Sequence, residues 1–470
     1  MPRPIHTVQS ICQIEDRAAG AEPPLMERAG AAAAALAAAL AGDHGKDILV
    51  LAGPGNNGGD ARVVARLLKE RFFRVVVASR AEEIPGGVRW ALLVDGLFVI
   101  GLARPIEGDA AKLVDYANAQ HCPVLALDVP SGLHAETGQA MAPAIRATHT
   151  ITFIALKPGL LTLDGPDRCG AVSVEDLGLA DEVRATASGW VAEPALFPNS
   201  LRSRPRNFHK GMAGSVGILG GAPGMTGAAL LAGRAALKLG AGRVYAGLLG
   251  PQAAEPAVDP VVPELMLRHA DDVLGLDLEV LVAGPGLGAS PHAETLLGAV
   301  LTSEQPCVLD ADALNLIAEN RDLRDACRRR STDTIVTPHP AEAARLLGRE
   351  TSEVQADRLA ASRRLAEELR AHVVLKGIGS VLFARDGHWF INTSGNPGMA
   401  SAGMGDVLAG MLGALLAQGY SGETALVLGT HLHGCAADEA VRAGAGPVGL
   451  TAGELIDPAR RLWNQWLAHR

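Results

Sequence analysis

The feature that most constrains this chain is the alternation of short apolar runs with segments long enough to form a helix. A short apolar run bounded by turn signals is typical of a strand buried on both faces of a parallel sheet. The alternation therefore predicts an α/β fold built of α/β/α layers. We expect strands at Ile48 to Ala52, Val75 to Ala78, Ala91 to Val94, Val124 to Leu127, Thr150 to Phe153, Ser215 to Leu219, Val280 to Ala283, Cys307 to Leu309, Thr334 to Val336, Val373 to Leu375 and Val381 to Phe383.

The segment from Trp190 to Pro205, WVAEPALFPNSLRSRP, interrupts this alternation with three prolines. Proline removes a backbone donor and ends regular elements. A chain of 470 residues is also longer than one hydrophobic core usually organises. We therefore predict two domains, 1–200 and 201–470.

Composition narrows the classes of partner. A net charge of −9 and an aromatic content of 3% disfavour nucleic acid. The six cysteines show no metal-ligand spacing and are expected to be reduced core residues. The Ala-rich stretch from Leu25 to Leu40 is expected to be a helix, and Ala29 to Ala41 is too short to span a bilayer and unlike a signal peptide. These features predict a cytoplasmic protein with small-molecule ligands and neither a nucleic-acid nor a membrane partner.

A Gly-rich loop in the second half, Asn392 to Gly405, leads into Asp406 and an apolar helical segment. Free amides at a helix N-terminus favour an anion, and glycine lets a phosphate approach the backbone closely. Asp406 either caps this helix or has a chemical role beside the anion. Three further loops follow predicted strands, at Ala283 to Gly288, Thr337 to Glu342 and Lys376 to Ser380, which points to one crevice.

The second half resembles the ADP-dependent NAD(P)H-hydrate dehydratases, which have a ribokinase-like fold. The resemblance is carried by HKGMAGSVGILGGAPGMTGAALLAGRAALKLGAG, VVPELM, AGPGLG, LDADALNLIA, TPHPAEAARLLG, VLKGIGSVLF and GNPGMASAGMGDVLAGML. It implies that Asp406 is the base acting on the substrate hydroxyl and that Gly403 and Gly405 hold the transferred phosphate. It further implies ADP on Lys376, Gly377, Ile378, Gly379 and Ser380, hydrated dinucleotide on Ala228, Gly288 and His339, and a magnesium ion. His339 by itself is more often a structural loop residue, and spacing identifies no magnesium ligand.

The first half also has a Gly-rich loop between a strand and a helix, Gly53 to Asp60, which suits phosphate binding but also suits a tight turn. Together with LMERAG, DGLFVIGLARP, LDVPSGLHAETG and FIALKPGL, it is similar to the NAD(P)H-hydrate epimerases, with a Rossmann-like fold. The resemblance implies Asp128 at the reacting ring and a potassium ion on Asn57, Asp95 and Ser131, all hard oxygen ligands. The alternative for Asp95 and Asp128 is capping of the following turns. The dinucleotide contacts implied are Asn56, Asn57, Gly58, Gly59, Asp60, Val99, Ile100, Gly101, Leu102, Ala103, Arg104 and Pro105.

Some positions depart from the family patterns. Val99-Ile100-Gly101 stands where the epimerases usually have Gly-Thr-Gly, and His134 where they have Asp. Because β-branched residues stiffen a loop and the hydroxyl is lost, epimerase activity is expected to be weakened. In the second half, Met404 replaces Thr or Ser and Ala341 replaces Gly.

The two resemblances together predict a homo-oligomeric enzyme that epimerises and dehydrates hydrated NADH and NADPH with adenine nucleotide. A rival interpretation is a ribokinase-like small-molecule kinase with a non-catalytic N-terminal binding module. The sequence does not decide between ADP and ATP as the nucleotide, or between NADH hydrate and NADPH hydrate as the preferred substrate.

Overall fold

A computed structural model of the chain describes residues 2–98, 105–201, 203–250 and 258–468. The chain divides into two compact units, Arg3–Trp190 and Val191–Arg470. The division falls at the start of the Pro-rich segment.

The first unit contains a six-stranded parallel sheet in the order β3-β2-β4-β5-β6-β7, and a short antiparallel pair formed by β1 and β8. Its strands are β1 Pro4–Ile5, β2 Asp47–Ala52, β3 Arg74–Ala78, β4 Leu92–Gly96, β5 Val124–Leu127, β6 His149–Phe153, β7 Ala171–Glu175 and β8 Gly189–Val191. Its helices are α1 Val8–Arg17, α2 Leu25–Ala41, α3 Asn56–Glu70, α4 Gly108–Asn118, α5 Gly165–Cys169 and α6 Ala180–Thr186.

Successive strand side chains point to opposite faces of this sheet, so a continuous apolar strand presents apolar side chains on both faces. Helices cover both faces and bury these side chains. Ile48 and Val50 join a core formed with α2 and α3, whereas Leu49 and Leu51 join one formed with α4. The small residues of α2 let α3 approach closely: a Cβ on Gly30 would lie 2.3 Å from Val63 Cγ1. The predicted α/β/α layering is confirmed in this unit.

The second unit is built on a larger sheet whose order includes β17-β16-β15-β14-β13-β12-β9-β10-β11. Its strands are β9 Ser215–Gly220, β10 Arg243–Leu248, β11 Met266–His269, β12 Val280–Ala283, β13 Cys307–Leu309, β14 Thr334–Val336, β15 His372–Leu375, β16 Ser380–Phe383 and β17 Trp389–Asn392. Its helices are α7 Thr226–Lys238, α8 Ala270–Leu274, α9 Pro291–Thr302, α10 Asp312–Glu319, α11 Arg321–Arg329, α12 Pro340–Leu347, α13 Thr351–Ala356, α14 Arg358–Leu369, α15 Met404–Ala417, α16 Gly422–Arg442 and α17 Ile456–Ala468.

The strand order places the Gly-rich loops of this unit at one edge. Strands β9 to β15 are parallel, and the chain leaves β9 on one side through β10 and returns on its other side through β12. Ligands of open α/β sheets bind beyond the carboxyl ends of strands at such a reversal. Strands β15, β16 and β17 are antiparallel, so the two predicted strands around Lys376 form a hairpin rather than two parallel members.

The cysteine prediction was only partly right. All six cysteines are free thiols, but Cys12 is exposed and Cys122 and Cys435 are only partly buried, so they are not all core residues. Within the part of the chain that the structure describes, no helix is both long and apolar enough to cross a membrane.

Candidate active sites

In the first unit, the loop after β2 packs tightly against the loop after β4. A Cβ on Gly53 would lie 1.8 Å from Leu97 O, and one on Gly58 would lie 1.9 Å from Gly53 O. Helix α3 then begins at Asn56 with no capping side chain among the described residues and no acidic side chain in its first turn. Its first amides are therefore available to an anion.

Asn57, Asp95 and Ser131 form a buried cluster at the carboxyl ends of β2, β4 and β5. Ser131 donates to Asp95 through its hydroxyl at 2.7 Å and its backbone N–H at 2.8 Å. Burial raises the pKa of Asp95, against the effect of these hydrogen bonds. Asn57 Nδ2 donates to Phe98 O at 2.6 Å and to Leu127 O at 3.0 Å. Its Oδ1 is buried and has no hydrogen-bond partner among the described residues, so the cluster offers an unused oxygen.

Asp128 follows β5 with a φ of 63°, in the left-handed region that costs energy for a non-glycine residue. Its Oδ1 accepts hydrogen bonds from Thr152 Oγ1 at 3.0 Å, from Phe153 N at 3.1 Å and from Lys157 Nζ. Lys157 is fully buried, and its ammonium also donates to Thr152 Oγ1 and Phe153 O. The structure thus holds a carboxylate firmly beside a buried cation.

A second carboxylate in this region has a different environment. Burial, together with the negative charges of Asp128 and Glu15, raises the pKa of Asp60 to about 7. Desolvation and the Asp128 charge also raise the pKa of Glu15. Around neutral pH, Asp60 can therefore act as a proton donor, while Asp128 lies against Lys157.

Of the predicted N-terminal contacts, Val99, Ile100, Gly101, Leu102, Ala103 and Arg104 lie outside the described residues, and Pro105 is exposed. Sequence reasoning did not single out Lys157 or Glu15. The motif FIALKPGL contains Lys157, and a lysine within an apolar run was a signal that could have identified it.

In the second unit, Asp406 lies in the first turn of α15, which begins after Gly403 at a φ of 89°. No side chain among the described residues caps this helix, so simple capping does not account for Asp406. Burial is the main cause that raises the pKa of Asp406 to about 6, with Asp310 and Asp312 adding to it and Lys376 opposing it. A carboxylate with this pKa is suited to accept a proton at neutral pH.

Lys376 links the loop after β15 to the start of α15. Its Nζ donates to Asp310 Oδ1 at 2.8 Å and lies 4.0 Å from Glu342 Oε2, and both carboxylates are buried. Desolvation opposes the charge on Lys376, but these two carboxylates raise its pKa overall. A Cβ on Gly405 would lie 3.1 Å from this Nζ, so glycine keeps the space between the helix and the cation open.

The loops after β9 and β12 contact each other beside this centre. A Cβ on Gly286 would lie 3.2 Å from the Ala228 side chain, and one on Gly288 would lie 3.4 Å from Ala222. Gly288 N donates to Asp312 Oδ2 at 2.8 Å, which connects the loop after β12 to the start of α10. Ala228, in the first turn of α7, therefore lies close to the loop that carries Gly288.

His339 is the N-cap of α12: its Nδ1 accepts from Ala341 N at 3.1 Å, and its Nε2 lies 3.1 Å from Glu342 Oε1. The structural role considered for His339 is therefore present.

The turn from Lys376 to Ser380 is supported by Arg358. This buried guanidinium donates to Leu375 O at 3.1 Å and to Lys376 O at 3.2 Å, and desolvation lowers its pKa to about 10. Ser380 Oγ closes the turn through Gly377 O at 2.9 Å.

Sequence reasoning did not assign Asp310, Asp312, Glu342 or Arg358. The quoted motifs LDADALNLIA and TPHPAEAARLLG contain the three acids, and acids directly after apolar strands were the available signal. Arg358 lies in α14, far along the chain from the turn that it supports, and no sequence pattern marks it.

These features define two α/β units, each with a helix that begins after a Gly-rich loop without a side-chain cap among the described residues, and each with a carboxylate in the same region. The family model described as NAD(P)H-hydrate dehydratase matches residues 216–459. The model described as YjeF-related protein N-terminus matches residues 22–92 and 79–159.

Relatives match nearly the whole chain. The bifunctional NAD(P)H-hydrate repair enzyme of Coxiella burnetii is 39% identical over 94% of this chain and 95% of its own. The enzyme of the same description from Escherichia coli is 38% identical over 94% and 89%. A crystal structure of the ADP/ATP-dependent NAD(P)H-hydrate dehydratase of Bacillus subtilis, co-crystallised with ATP/Mg²⁺, has a TM-score of 0.51 and 30% identity over 57% of this chain and 94% of that one.

The chain belongs to the bifunctional NAD(P)H-hydrate repair enzymes. Its function is the epimerisation and dehydration of hydrated NADH and NADPH. The predicted fold class, with a ribokinase-like second half, is confirmed.

Proposed function

We propose that residues 201–470 dehydrate the S hydrate with ADP, and that Asp406 is the base that removes the proton from the substrate hydroxyl. The observation that carries this proposal is the Asp406 carboxylate, which has a pKa of about 6 and lies in the first turn of α15 near the Lys376 ammonium. Helix α15 has no side-chain cap among the described residues. The hydroxyl oxygen then bonds to the β-phosphorus of ADP and AMP leaves. Loss of phosphate from the ring carbon, together with a proton from the neighbouring ring carbon, then forms the C=C bond of the reduced nicotinamide.

The remaining residues bind and orient. Gly403 and Gly405 leave room for the transferred phosphate at the helix N-terminus, and Lys376 neutralises part of its charge. The turn from Lys376 to Ser380 lines the nucleotide. Ala228 at the start of α7, Gly288 after β12 and His339 after β14 face the hydrated dinucleotide.

A magnesium ion fits this centre because Asp310 and Glu342 supply two buried carboxylates, the hard oxygen ligands that it prefers. They would hold the ion, which supplies charge neutralisation for the transferring phosphoryl group.

We propose that residues 1–200 epimerise the R and S hydrates with Asp128 at the reacting ring. Residues 56–60 and 99–105 bind the dinucleotide phosphates. Lys157 holds and orients the Asp128 carboxylate. The left-handed φ of Asp128 supports this role, because such strain persists where the surrounding structure enforces it.

A potassium ion fits the cluster of Asn57, Asp95 and Ser131. The fit rests on Asn57 Oδ1, a buried oxygen without a hydrogen-bond partner among the described residues. These three residues would hold the ion, which supplies a fixed positive charge near the phosphate loop.

One assay tests both proposals. The full chain is incubated with mixed hydrate epimers, ADP, magnesium and potassium, and the absorbance of reduced nicotinamide is followed. Full conversion with release of inorganic phosphate is expected. Conversion that stops at the S fraction would contradict the epimerase proposal, and a stable phosphorylated product would contradict the dehydratase proposal. Size-exclusion chromatography with light scattering tests the proposed homo-oligomer.

A further inference from the structure

The loop between β17 and α15 is held onto the middle of α16 by a small set of contacts. Ser394 Oγ donates to His431 O at 2.9 Å. Gly395 N donates to Asp438 Oδ2 at 2.9 Å, and Asn396 Nδ2 donates to Asp438 Oδ1 at 3.0 Å. Asp438 is therefore the acceptor that fixes two successive residues of the loop.

The helix is shaped to receive this loop. A Cβ on Gly434, one turn before Asp438, would lie 2.2 Å from Ser394 Oγ and 2.6 Å from its backbone. Since a side chain at this position would displace the loop, glycine permits the approach that Asp438 then secures.

Asn396 also holds the next part of the loop. Its Oδ1 accepts from Gly398 N at 3.0 Å while its Nδ2 is bound to Asp438. Both ends of the amide are used, so a flip of the side chain would lose both bonds. The fixed segment continues through residues 397–401 into Gly403, where α15 begins.

The same segment forms one wall of a cavity of about 450 Å³, and residues 447–451 form the other wall. Ala452, which follows that second wall, approaches the phosphate loop: a Cβ on Gly403 would lie 3.1 Å from its side chain. Displacement of the fixed segment would therefore move the backbone from which the helix amides and Gly405 reach a phosphate.

We infer that Asp438 is a positioning residue for nucleotide binding, acting through Gly395 and Asn396 on the phosphate loop at the start of α15. This inference rests on the proposed use of that loop for the nucleotide. Asp438 itself does not touch the nucleotide. Its loss is expected to weaken ADP binding and to raise the KM for ADP more than it changes the KM for the hydrate.

The test uses a swap in the full chain. Asp438→Asn places two amide donors against each other, and Asn396→Asp places two carboxylates against each other. The double variant restores both contacts, because the amide side chain then at position 438 would accept from Gly395 N and donate to the carboxylate at position 396. Glu439→Gln, next to Asp438 on the same helix and paired with Arg442, is the matched control.

Each single variant is expected to raise the Kd and the KM for ADP by roughly tenfold or more, the range for a lost hydrogen bond to a charged group. The double variant and Glu439→Gln should lie within about threefold of the parent. Calorimetric titration with ADP gives Kd without turnover, and thermal unfolding reports stability. Unchanged ADP affinity in both single variants, or a double variant no better than the singles, overturns the inference.

The design separates this inference from the proposed function. If the parent binds ADP and dehydrates the hydrate, but the single variants do not lose ADP affinity or the double variant does not recover it, the positioning role fails and the proposed function stands. A parent that does not bind ADP overturns both. If the KM for ADP and the KM for hydrate rise equally, in proportion to the loss of thermal stability, Asp438 has only a structural role. That result also overturns the inference.

Discussion

The two candidate centres share one arrangement of loop and helix but surround the carboxylate with different neighbours. Each has an uncapped helix N-terminus after a Gly-rich loop, at α3 and at α15. In the first unit Asp128 accepts directly from a buried ammonium, whereas in the second the partly buried Asp406 carboxylate has its pKa raised to about 6. Since the loop geometry is shared, the raised pKa of Asp406 comes from its surroundings, from burial first and then from the charges of Asp310 and Asp312.

The largest effect is expected from Asp406→Asn, which keeps the size of the side chain but cannot accept a proton. Dehydration should fall by about 10²–10⁴-fold, the usual contribution of a general base. ADP affinity, thermal unfolding and epimerisation by the first unit should stay near parent values. Stopped-flow measurement of nicotinamide recovery checks the rate. Turnover close to the parent's would show that Asp406 is not the base.

Lys157→Met tests the other side of the comparison. It leaves the Asp128 carboxylate partly buried without its cation, and breaking a buried ion pair costs about 3–5 kcal/mol. Denaturant unfolding should show this loss in the first unit, and epimerisation should fall sharply. Dehydration of the S hydrate serves as the internal control. An equally stable variant with normal epimerisation would remove Lys157 from the site.

The pKa of Asp406 predicts the acid limb of the dehydration profile. Because the base must be ionised, kcat/KM should be level above pH 6 and should fall about tenfold per pH unit below it. Asp312→Asn removes one of the charges that raise this pKa, so the acid limb should move to lower pH. An acid limb near pH 4 in the parent would contradict the assigned environment.

Asp60 gives a smaller, stability-based test. The pKa of Asp60 is about 7 in the folded protein and near 3.8 in the unfolded chain. Its burial therefore destabilises the fold increasingly as pH rises from 3.8 to 7, and this destabilisation is complete above pH 7. Asp60→Asn should therefore stabilise the protein at pH 8, by about 1 kcal/mol or more, ~2–4 °C in Tm. The gain should shrink as pH falls towards 4. A variant that is less stable at pH 8 would show that Asp60 is held by favourable contacts.

The smallest effect is expected from Val99→Gly combined with Ile100→Thr, which gives the loop the Gly-Thr-Gly pattern of the epimerases. A loop with more freedom and an added hydroxyl should raise the epimerisation rate severalfold. Rates are compared at saturating hydrate with the parent as control. An unchanged rate in a folded variant would show that the departure is neutral for this enzyme.

The sequence by itself determined the layered fold, most strand positions and the two Gly-rich loops that lead into helices α3 and α15. Apolar runs such as Val124–Leu127 and Val280–Ala283 are strands with the predicted bounds, because burial on both faces leaves a continuous apolar signal. Gly403 and Asp406 could be proposed as site residues from the sequence because a glycine before the start of a helix is a local pattern along the chain.

Only the tertiary structure decided what surrounds each carboxylate. Lys157 meets Asp128 across 29 positions, Lys376 meets Asp310 across 66, and Asp438 meets Gly395 across 43. These contacts depend on which strands are neighbours and on how closely α16 approaches the loop. Desolvation and charge act through space rather than along the chain, so the raised pKa of Asp406 follows from packing.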